Sequence, residues 1–488
     1  MRVLADDPGK VYIGIMTQTL DPVIAAKLKQ VVGPRGWIES EAGIAPFLEE
    51  QRGYFHGNTP LVLRPASVEE VAAIVRICAR SATPVVPQGG NTGLVGGAVP
   101  HEDGTEILVN LSRMNAIREI DTFNNTMEVE AGCVLADIQN AAAEADRLFP
   151  LSLAAEGTCQ IGGNLSTNAG GTNVLRYGSA RSQVLGLEVV LPDGQIWNGL
   201  RALRKDNTGY DLKHLFIGAE GTLGIITAAV LTLFPRPREI TTAMIAARDP
   251  AAAVELLVTV QSATADAATA WELMPRCGVD LTLKNIPGTI DPFASEHDWY
   301  ILAELSGGVT DGQQRAALEN ALAAALDAGT VEDAVIASST AQAASLWRIR
   351  ETMPEAQRKA GGGIRHDVAV PLSRIAEFID AASENVRAAV ADVVIVAYGH
   401  LGDGNIHFNL SLGNSEENKV STARRNELME IVHNTAVELG GTISAEHGIG
   451  RLKRDHIALY KSETELNIMR VLKAALDPQG IMNPGKVI

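Results

Sequence analysis

The sequence is poor in cysteine and aromatic residues, and it contains no long hydrophobic run. Its four cysteines lie far apart among 488 residues, without a C-x-x-C pair, which argues against a disulfide framework and a cysteine metal site. No stretch approaches the roughly 18 consecutive apolar residues of a membrane helix, and residues 1–20 lack the pattern of a signal peptide. We therefore predict a protein without a membrane span, located in the cytoplasm.

An excess of positive charge is also missing. The formal net charge is −17 at pH 7, and because nucleic acids bind basic surfaces, we exclude nucleic acid as a partner. The content of 46% hydrophobic and 20% charged residues is typical of a globular protein, and the length allows two or three domains. Glycine, in contrast, is abundant and clustered, which indicates loops that need unusual backbone geometry.

The order of the predicted elements indicates an α+β protein. The pattern up to about residue 53 is helical; Ser67 and Glu70 then form a capping-box pattern that opens a helix reaching about residue 81. Pro235 and Pro237 close a β-rich segment and mark a domain boundary. Beyond them, helices alternate with strands, as in a layer of helices on an antiparallel sheet. The predicted elements include helices at 134–148, 250–263, 312–327, 341–352 and 419–439, and strands at 84–87, 107–114, 126–132, 298–305 and 333–339.

Three glycine-rich segments occupy the first half of the chain. They are QGGNTGLVGG (88–97), EGTCQIGGNLSTNAGGTN (156–173) and GAEGTLGIIT (218–227). None has the G-x-G-x-x-G or G-x-x-x-x-G-K-[ST] spacing, so neither a Rossmann site nor a P-loop is predicted. Bare glycine backbone can present N–H groups to an anion, and three such loops suit a long ligand that carries a pyrophosphate. The alternative is that the loops are tight turns between sheet edges.

Two of the ten histidines lie close together in AYGHLGDGNIHFN (397–409). The turn sequence GDGN predicts a hairpin that brings His400 near His407. Glu446 and His447 offer a further carboxylate and imidazole, and such a set suits Zn²⁺, Mn²⁺ or Fe²⁺. No H-E-x-x-H motif is present, which disfavours a zinc protease. The alternatives are a hydrogen-bonded turn histidine at 400 and a ligand role for Asp403, which we assign to the turn.

These segments resemble a known flavoprotein family. PVVPQGGNTGLVGGAVP, GGNLSTNAGGTNVLRYG and GAEGTLGIIT resemble the FAD-binding domain of the vanillyl-alcohol oxidase and p-cresol methylhydroxylase (PCMH) flavoproteins. GHLGDGNIHFN, SAEHGIG and MNPGK resemble its D-2-hydroxyacid dehydrogenase branch, which includes D-lactate dehydrogenases, D-2-hydroxyglutarate dehydrogenases and the FAD subunit of glycolate oxidase. The resemblance extends from about residue 40 to the end of the chain.

The resemblance implies a domain organisation. It predicts a two-subdomain FAD-binding domain of the PCMH type at 56–237. A ferredoxin-like substrate domain of antiparallel sheet and helices follows at 238–440. Residues 1–55 form an N-terminal helical segment, and residues 441–488 form a C-terminal segment that returns to the flavin site.

The resemblance also implies which residues bind FAD. The first loop has Asn91 where many relatives carry a histidine bonded to the flavin, so we expect non-covalent FAD; Cys159 is expected to be a buried thiol. The expected FAD-binding residues are Pro87, Gly89, Gly90, Asn91, Thr92, Gly93, Leu94, Gly157, Thr158, Gly162, Gly163, Asn164, Thr167, Asn168, Gly170, Gly171, Glu220, Gly221, Gly224, Ile225, Ile226, Asn483 and Lys486.

The metal and catalytic residues follow from the same resemblance. His400, His407 and Glu446 match the metal ligands of the metal-dependent members, and His447 matches their catalytic base. Zinc is the first choice of metal, with manganese and iron as alternatives.

The substrate-binding residues match less completely. Arg350 and Arg365 match residues that bind the substrate carboxylate, which arginine can grip with two hydrogen bonds. Asn409, two residues after His407, is placed to hydrogen-bond the substrate. Two positions depart from the family. Arg365 stands where lysine is usual, and Pro354 stands where a hydroxyl residue is common. Both departures leave the size of the substrate open.

The function that follows is FAD-dependent, metal-assisted oxidation of a D-2-hydroxyacid to the 2-oxoacid, with hydride passing to the flavin. D-2-hydroxyglutarate and D-lactate are the favoured substrates, and D-malate and glycolate stay open. The expected partners are a small acid, an electron-transfer flavoprotein or quinone as acceptor, and a second copy of the chain. A metal-dependent hydrolase or lyase without flavin leaves the glycine loops unexplained. A flavin electron-transfer subunit leaves the histidines unexplained.

Overall fold

The computed structural model describes residues 20–411 and 422–488. Its strands in the first half are β1 (Trp37–Ile38), β2 (Val62–Leu63), β3 (Val85–Gln88), β4 (Ile107–Asn110), β5 (Ile117–Asp121), β6 (Thr126–Glu130), β7 (Arg147–Leu148), β8 (Val184–Val190), β9 (Ile196–Gly199), β10 (Ile225–Thr232) and β11 (Phe234–Pro235). Those in the second half are β12 (Glu239–Ala247), β13 (Ala268–Pro275), β14 (Trp299–Gly307), β15 (Val331–Ile336), β16 (Val368–Ala369), β17 (Val394–His400) and β18 (Asn405–Ser411).

Apart from α3, the described helices of 12 or more residues lie after residue 240. The helices are α1 (Pro22–Val32), α2 (Glu41–Ile44), α3 (Val68–Ser81), α4 (Leu135–Glu144), α5 (Ile161–Ser166), α6 (Val174–Tyr177), α7 (Lys213–Phe216), α8 (Pro250–Thr264), α9 (Arg276–Asn285), α10 (Gln313–Asp327), α11 (Thr340–Glu351), α12 (Met353–Lys359), α13 (Ile375–Ala389), α14 (Thr422–Glu438), α15 (Arg454–Tyr460) and α16 (Glu463–Leu476). Within the described ranges, no helix is long and apolar enough to cross a membrane.

Helix α3 shows how local sequence sets an element. The Ser67 hydroxyl accepts a hydrogen bond from the Glu70 N–H at 3.3 Å, as the capping pattern predicts. The Glu70 carboxylate accepts from the N–H of Ala66 at 2.7 Å, one residue earlier than the reciprocal bond of a capping box. Val71, Ile74, Val75 and Cys78 of this helix are buried on one face, which packs against the first sheet.

Two sheets form the first half of the chain. In the first, β2, β4 and β3 run parallel, and β1 pairs antiparallel with β2. Because β1 lies at residues 37–38, the N-terminal segment contributes a strand as well as the predicted helix. The second sheet has the antiparallel order β5-β6-β10-β8-β9. The carboxyl end of β3 leads into the first glycine loop, the third glycine loop leads into the start of β10, and all three loops meet between the sheets.

The third sheet is antiparallel and has the order β15-β12-β14-β13-β17-β18-β16. Its strand β13 is buried along its whole length. Trp271 and Leu273 face the apolar cluster that includes α8 and α10, whereas Met274 faces the cluster that includes α9 and α11. Strands with helices on both faces read as continuous apolar runs. Glu272 interrupts this run on the Met274 side.

The predicted hairpin is confirmed and is joined to β13. Tyr398 of β17 pairs with His407 of β18, and the turn between the strands contains Gly404 with φ of +84°. His400, at the end of β17, pairs with Glu272 of β13. The register therefore places both histidines beside the buried carboxylate.

Most of the predicted helices are confirmed, and one is too long. Helices α8, α10 and α11 match the predicted ranges closely. The predicted helix at 134–148 ends at Glu144, because Arg147 and Leu148 pair with Pro235 and Phe234 as strands. The predicted helix at 419–439 is present as α14, and its first residues, 419–421, lie outside the described ranges.

The C-terminal segment returns to the first sheet. The N–H of Val85 donates to the carbonyl of Ile481 at 2.8 Å, and the N–H of Asn483 donates to the carbonyl of Val85 at 2.8 Å. These bonds extend β3 by a short parallel contact with residues 481–483. The end of the chain therefore lies beside the first glycine loop.

Gly404 should be essential for the hairpin. A Cβ at Gly404 would lie 2.2 Å from the carbonyl oxygen of Val370, whereas a Cβ at Gly312, with φ of +75°, would meet no atom within 4 Å. Gly312→Ala should therefore cost about 1 kcal/mol from the left-handed backbone alone. Gly404→Ala should cost a further ~1–3 kcal/mol from the forced contact. Thermal unfolding midpoints measure both, and equal shifts in the two variants would contradict the prediction.

Candidate active site

A cavity of about 490 Å³ lies between the two sheets of the first half and the C-terminal segment. All three glycine-rich segments line it, together with Glu446 and His447. The predicted FAD-binding residues on its wall are Pro87, Gly89, Gly90, Asn91, Thr92, Gly93, Leu94, Thr158, Gly162, Gly163, Asn164, Thr167, Gly170, Glu220, Gly221, Gly224, Ile225 and Ile226. One cavity thus joins the loops to the carboxylate and histidine predicted for catalysis.

Five predicted FAD-binding residues do not line this cavity: Gly157, Asn168, Gly171, Asn483 and Lys486. Asn168 accepts hydrogen bonds at its Oδ1 from Ser179 and from the Arg181 N–H. The Gly171 N–H donates to Glu446 Oε1 at 2.6 Å. These two residues therefore have a positioning role within the protein.

Lys486 is buried and paired within the protein. Its Nζ lies 2.9 Å from Glu106 Oε1 and 3.2 Å from His101 Nδ1. Glu106 also accepts a hydrogen bond from the His101 N–H. Removing either charged partner would leave the other charge buried, so this pair fastens the end of the chain to the first domain.

Asn483 and Glu220 form a second tie. Asn483 Nδ2 donates to the carbonyl oxygens of Gly97 at 2.9 Å and of Glu220 at 2.8 Å. The Glu220 carboxylate accepts from the N–H groups of Ile449 at 2.7 Å and Gly450 at 2.9 Å. Burial raises the pKa of Glu220 to about 7, although these backbone donors oppose the shift.

The cavity wall has the chemistry expected for a dinucleotide. A Cβ at Gly90 would lie 2.1 Å from the Thr158 carbonyl oxygen, so the first two loops approach as closely as glycine allows. Gly93 and Gly163 leave open space where a Cβ would point. The side-chain oxygens of Gln160 and Asn164 are buried without a partner in the part of the chain that the structure describes, and a ligand can satisfy them. The residues present therefore fit FAD.

The predicted metal ligands are brought together. His400 Nε2 lies 3.6 Å from Glu446 Oε1, and His407 Nε2 lies 4.0 Å from Glu446 Oε2. One ligand atom from each of the three residues lies within 4.8 Å of the others. Two imidazole nitrogens and a carboxylate oxygen at this spacing form a donor set that fits a divalent metal with an open position.

Glu272 orients His400 and was missed by sequence reasoning. Its Oε1 lies 2.7 Å from His400 Nδ1, and its Oε2 accepts from Arg350 Nε at 2.8 Å, with Arg350 Nη2 at 2.7 Å. Burial opposes ionisation of Glu272, but the charges of His400 and Arg350 outweigh it and lower its pKa to about 2. A carboxylate on the far nitrogen of a ligating histidine fixes the ring and its tautomer. His400 Nε2 is thereby directed to Glu446.

Asp367 organises the other side of the site and was also missed. Its Oδ2 accepts from the N–H groups of Glu446 at 3.0 Å and His447 at 2.9 Å, and lies 3.4 Å from His447 Nδ1. Its Oδ1 accepts from Asn405 Nδ2 at 3.0 Å. Burial opposes ionisation, but the charges of His447 and Lys453 outweigh it and hold the Asp367 pKa well below its usual range. Asp367 therefore turns the backbone so that the adjacent Glu446 and His447 both border the cavity.

His447 lies against His407 in a stacked arrangement, with ring centroids 6.0 Å apart. Burial lowers the pKa of His447 to about 4, and Asp367 opposes this shift. A second possible metal set, of Asp367, His407 and His447, shares His407 with the first. The position of His447 on the cavity wall suits a proton acceptor there.

The predicted substrate-binding residues differ in how strongly they are already bound by other residues of the protein. Arg350 is bound to Glu272 and lies over the Tyr398 ring at 4.9 Å. Asn409 Nδ2 donates to Gln357 Oε1 at 2.9 Å. Among the described residues, Arg365 makes one hydrogen bond, from Nη2 to the Pro354 carbonyl at 3.5 Å. Arg350 therefore has less freedom to bind a ligand than Arg365.

Of the residues that sequence reasoning missed, Glu272 alone had a signal in the sequence. Glu272 is a charged residue within an otherwise apolar strand, and such a residue needs a buried partner. Asp367 follows Arg365 by two residues. The groups that donate hydrogen bonds to its carboxylate lie 38 to 80 residues away along the chain. Arg52, described below, lies in a segment that showed no motif. No local pattern identified the partners of these three residues.

Two family models match the chain. The FAD-binding domain model matches residues 59–199, and the C-terminal domain model of FAD-linked oxidases matches residues 236–487. The chain belongs to the FAD-linked oxidases and is an FAD-dependent oxidoreductase. This confirms the resemblance found in the sequence and excludes the flavin-free hydrolase or lyase.

Curated relatives cover nearly the whole chain. A mitochondrial D-2-hydroxyglutarate dehydrogenase of Arabidopsis thaliana is 37% identical over 96% of this chain and 82% of its own length. A D-2-hydroxyglutarate–pyruvate transhydrogenase of Saccharomyces cerevisiae is 36% identical over 91% of this chain and 90% of its own. The mitochondrial D-2-hydroxyglutarate dehydrogenase of Bos taurus is 38% identical over 88% and 77%. Two of these relatives are named mitochondrial, so the cytoplasmic location of this chain stays a prediction.

Solved structures confirm the fold. p-Cresol methylhydroxylase with substrate bound is similar with a TM-score of 0.73 at 16% identity, over 95% of this chain and 96% of that one. Alkyldihydroxyacetonephosphate synthase is similar with a TM-score of 0.73 at 18% identity, over 95% and 84%. The predicted PCMH-type α+β architecture is therefore confirmed.

Filling the cavity from Gly163 should block FAD without disturbing the fold. Gly163 lies within α5, lines the cavity and has no atom within 4 Å of a built Cβ. Gly163→Leu should therefore fold normally and retain at most about a tenth of the flavin per chain, because the side chain occupies ligand volume. Flavin absorbance per chain and the far-ultraviolet circular dichroism of the flavin-free proteins measure this. Full flavin content in the variant would remove Gly163 from the cofactor site.

Proposed function

We propose that this chain oxidises a D-2-hydroxyacid to the 2-oxoacid, and that D-2-hydroxyglutarate is its first candidate substrate. The observation that carries this proposal is that the glycine loops and the Glu446–His447 pair line the same cavity. The FAD loops form most of its wall, and Glu446 and His447 complete it. The relatives named as D-2-hydroxyglutarate dehydrogenases support the substrate class. D-lactate is the alternative substrate.

A divalent metal is part of the proposal, with His400, His407 and Glu446 as its ligands. Zinc is preferred, because two imidazoles and one carboxylate with an open position are a common catalytic zinc set. Manganese and iron are the alternatives. When bound, such a metal lowers the pKa of a coordinated hydroxyl. Glu272 and Gly171 hold the ligands His400 and Glu446 in place.

His447 is proposed as the general base that takes the proton of the substrate's 2-hydroxyl. Its ring borders the cavity, and Asp367 holds both its backbone N–H and its Nδ1 side. A carboxylate at one ring nitrogen leaves the other free to accept a proton from substrate. Asp367 is a positioning residue in this scheme.

Arg365, Arg350 and Asn409 are proposed to hold the substrate through its carboxylate. Arg365 has the freer guanidinium of the two arginines, with one long contact to Pro354 among the described residues. Arg350 uses Nε and Nη2 on Glu272, so only Nη1 is available to substrate. A carboxylate held at fixed distance from His447 presents C2 in one orientation, which is the main benefit of such binding.

FAD is proposed to be bound without a covalent bond. Asn91 lines the cavity in the loop where a covalent histidine would stand, and its Nδ2 donates to the Glu49 carbonyl at 2.9 Å. FAD, when bound, would supply the hydride acceptor for this oxidation. The electron acceptor, an electron-transfer flavoprotein or a quinone, is still a prediction, and so is a homodimeric state. The domain bounds 1–55, 56–237, 238–440 and 441–488 are proposed on the same basis.

Anaerobic titration with D- and L-2-hydroxyacids tests the reaction. We expect D-2-hydroxyglutarate to bleach the flavin band and its L-enantiomer to leave the band unchanged. Prior removal of the metal with a chelator should slow bleaching by at least about 100-fold, because the hydroxyl loses its activating metal. Restoring zinc to the chelated protein is the control. The same protein, precipitated with acid, should leave its flavin in the supernatant. Bound flavin and metal with no bleaching by any D-acid would reject the proposed reaction.

Replacing the base tests the role of His447. His447→Ala should bind FAD normally and be reduced by substrate about 10²- to 10⁴-fold more slowly, because proton removal loses its acceptor. His297→Ala is the matched control, since His297 pairs with Glu332 outside the site. Stopped-flow flavin absorbance measures reduction. Reduction at the unsubstituted rate in His447→Ala would remove His447 from the reaction.

A further inference from the structure

The turn at Glu50–Tyr54, in the N-terminal segment, lies at the edge of the FAD cavity and carries an arginine. The buried Glu50 carboxylate accepts hydrogen bonds from the N–H groups of Arg52 at 3.0 Å and Tyr54 at 3.3 Å. Gln51, at the tip of this turn, lines the FAD cavity together with His447. The turn therefore forms one edge of the cavity, and Arg52 is the next residue along it.

The first glycine loop fixes this turn. Asn91 Nδ2 donates to the Glu49 carbonyl at 2.9 Å, and Gln88 Nε2 donates to the Phe47 carbonyl at 3.0 Å. Gln88 and Asn91 both line the cavity. Because the turn is tied on this side to the loop that holds the cofactor, the position of Arg52 is set by the same contacts as the cofactor site.

The guanidinium of Arg52 has no partner among the described residues. The Nε of Arg52 is buried and makes no hydrogen bond. The neighbouring Glu50 carboxylate accepts from backbone N–H groups at Oε2, and its Oε1 has no partner among the described residues. Burial and the nearby charge of Arg365 lower the pKa of Arg52. The charges of Arg52 and Arg365 therefore act on each other, and neither guanidinium makes an ion pair in the described ranges of the chain.

Two buried hydrogen-bond donors here, Arg52 Nε and Gln357 Nε2, have no acceptor among the described residues. Arg365 lies beside Gln357, whose Nε2 is buried and has no acceptor. Tyr398 lies within reach of the charges of Arg350, Arg365 and Arg52. Glu272 satisfies only Arg350 of these three. An anion is the chemistry that satisfies unpaired guanidinium groups and a bare amide donor together.

We propose that Arg52 is a substrate-binding residue that binds a second carboxylate of the substrate, next to the carboxylate that Arg365 holds, so that the site selects dicarboxylic 2-hydroxyacids over monocarboxylic ones. This inference rests on the proposed function for the identity of the reacting group. Arg52 supplies a charged donor from a different segment of the chain.

Binding of unreactive acids tests the inference without turnover. Glutarate has two carboxylates and butyrate has one, and both perturb a flavin band when they bind beside it. Arg52→Gln should weaken glutarate binding about 10- to 100-fold, as loss of a charge-assisted hydrogen bond does, and leave butyrate binding unchanged. Arg52→Lys should recover part of the loss. Arg425→Gln is the matched control, because Arg425 contacts Tyr54 from the outer side of the same turn.

Steady-state kinetics give the second readout. In Arg52→Gln, the KM for D-2-hydroxyglutarate should rise about 10- to 100-fold with kcat little changed, and the kcat/KM for D-lactate should not fall. Equal losses for both acids, or no loss for either, would overturn the inference, and so would unsubstituted protein that does not bind glutarate. Glutarate binding that depends on Arg52, in a protein whose flavin no D-2-hydroxyacid bleaches, would support the inference and reject the proposed function.

Discussion

The buried carboxylate of Glu272 is the interaction on which the candidate site depends. It lies in a fully buried strand, where an unpaired charge would be strongly unfavourable, and it is stabilised only because His400 and Arg350 both bind it. In return it fixes the ring of His400 and limits the movement of Arg350. One residue in the interior of the sheet therefore sets the position of a proposed metal ligand and of a proposed substrate-binding arginine.

The C-terminal segment joins the two halves of the molecule around this centre. Glu220 binds the backbone at 449–450, Asn483 binds the loops at Gly97 and Glu220, and Asp367 binds the backbone of 446–447. All of these bonds use backbone groups, so they fix the course of the chain and leave the side chains of Glu446 and His447 directed at the cavity. The proposed chemistry thus depends on hydrogen bonds between the chain segments that do not involve the reacting side chains themselves.

Local pattern predicted the elements well where local contacts decide them. The GDGN turn predicted the hairpin of β17 and β18, and apolar spacing predicted α8, α10 and α11. The helix at 134–148 was predicted too long, because its last residues pair with a strand 87 residues later, and that pairing outweighs helix propensity. The glycine loops were predicted as a cofactor site, and most of their residues line the cavity. Lys486 and Asn483 instead fasten the chain beside it.

The sequence by itself determined the class of the protein and the residues that can do chemistry, because glycine loops, a histidine hairpin and an adjacent Glu–His pair each lie within a short stretch. Only the tertiary structure decided which partners control them. Glu272 meets His400 across 128 residues, and Glu446 is held by Gly171 across 275. Such contacts follow from strand register and loop approach, which leave no periodic trace in the chain. The same holds for Arg52, which reaches the site only because the first glycine loop holds its turn there.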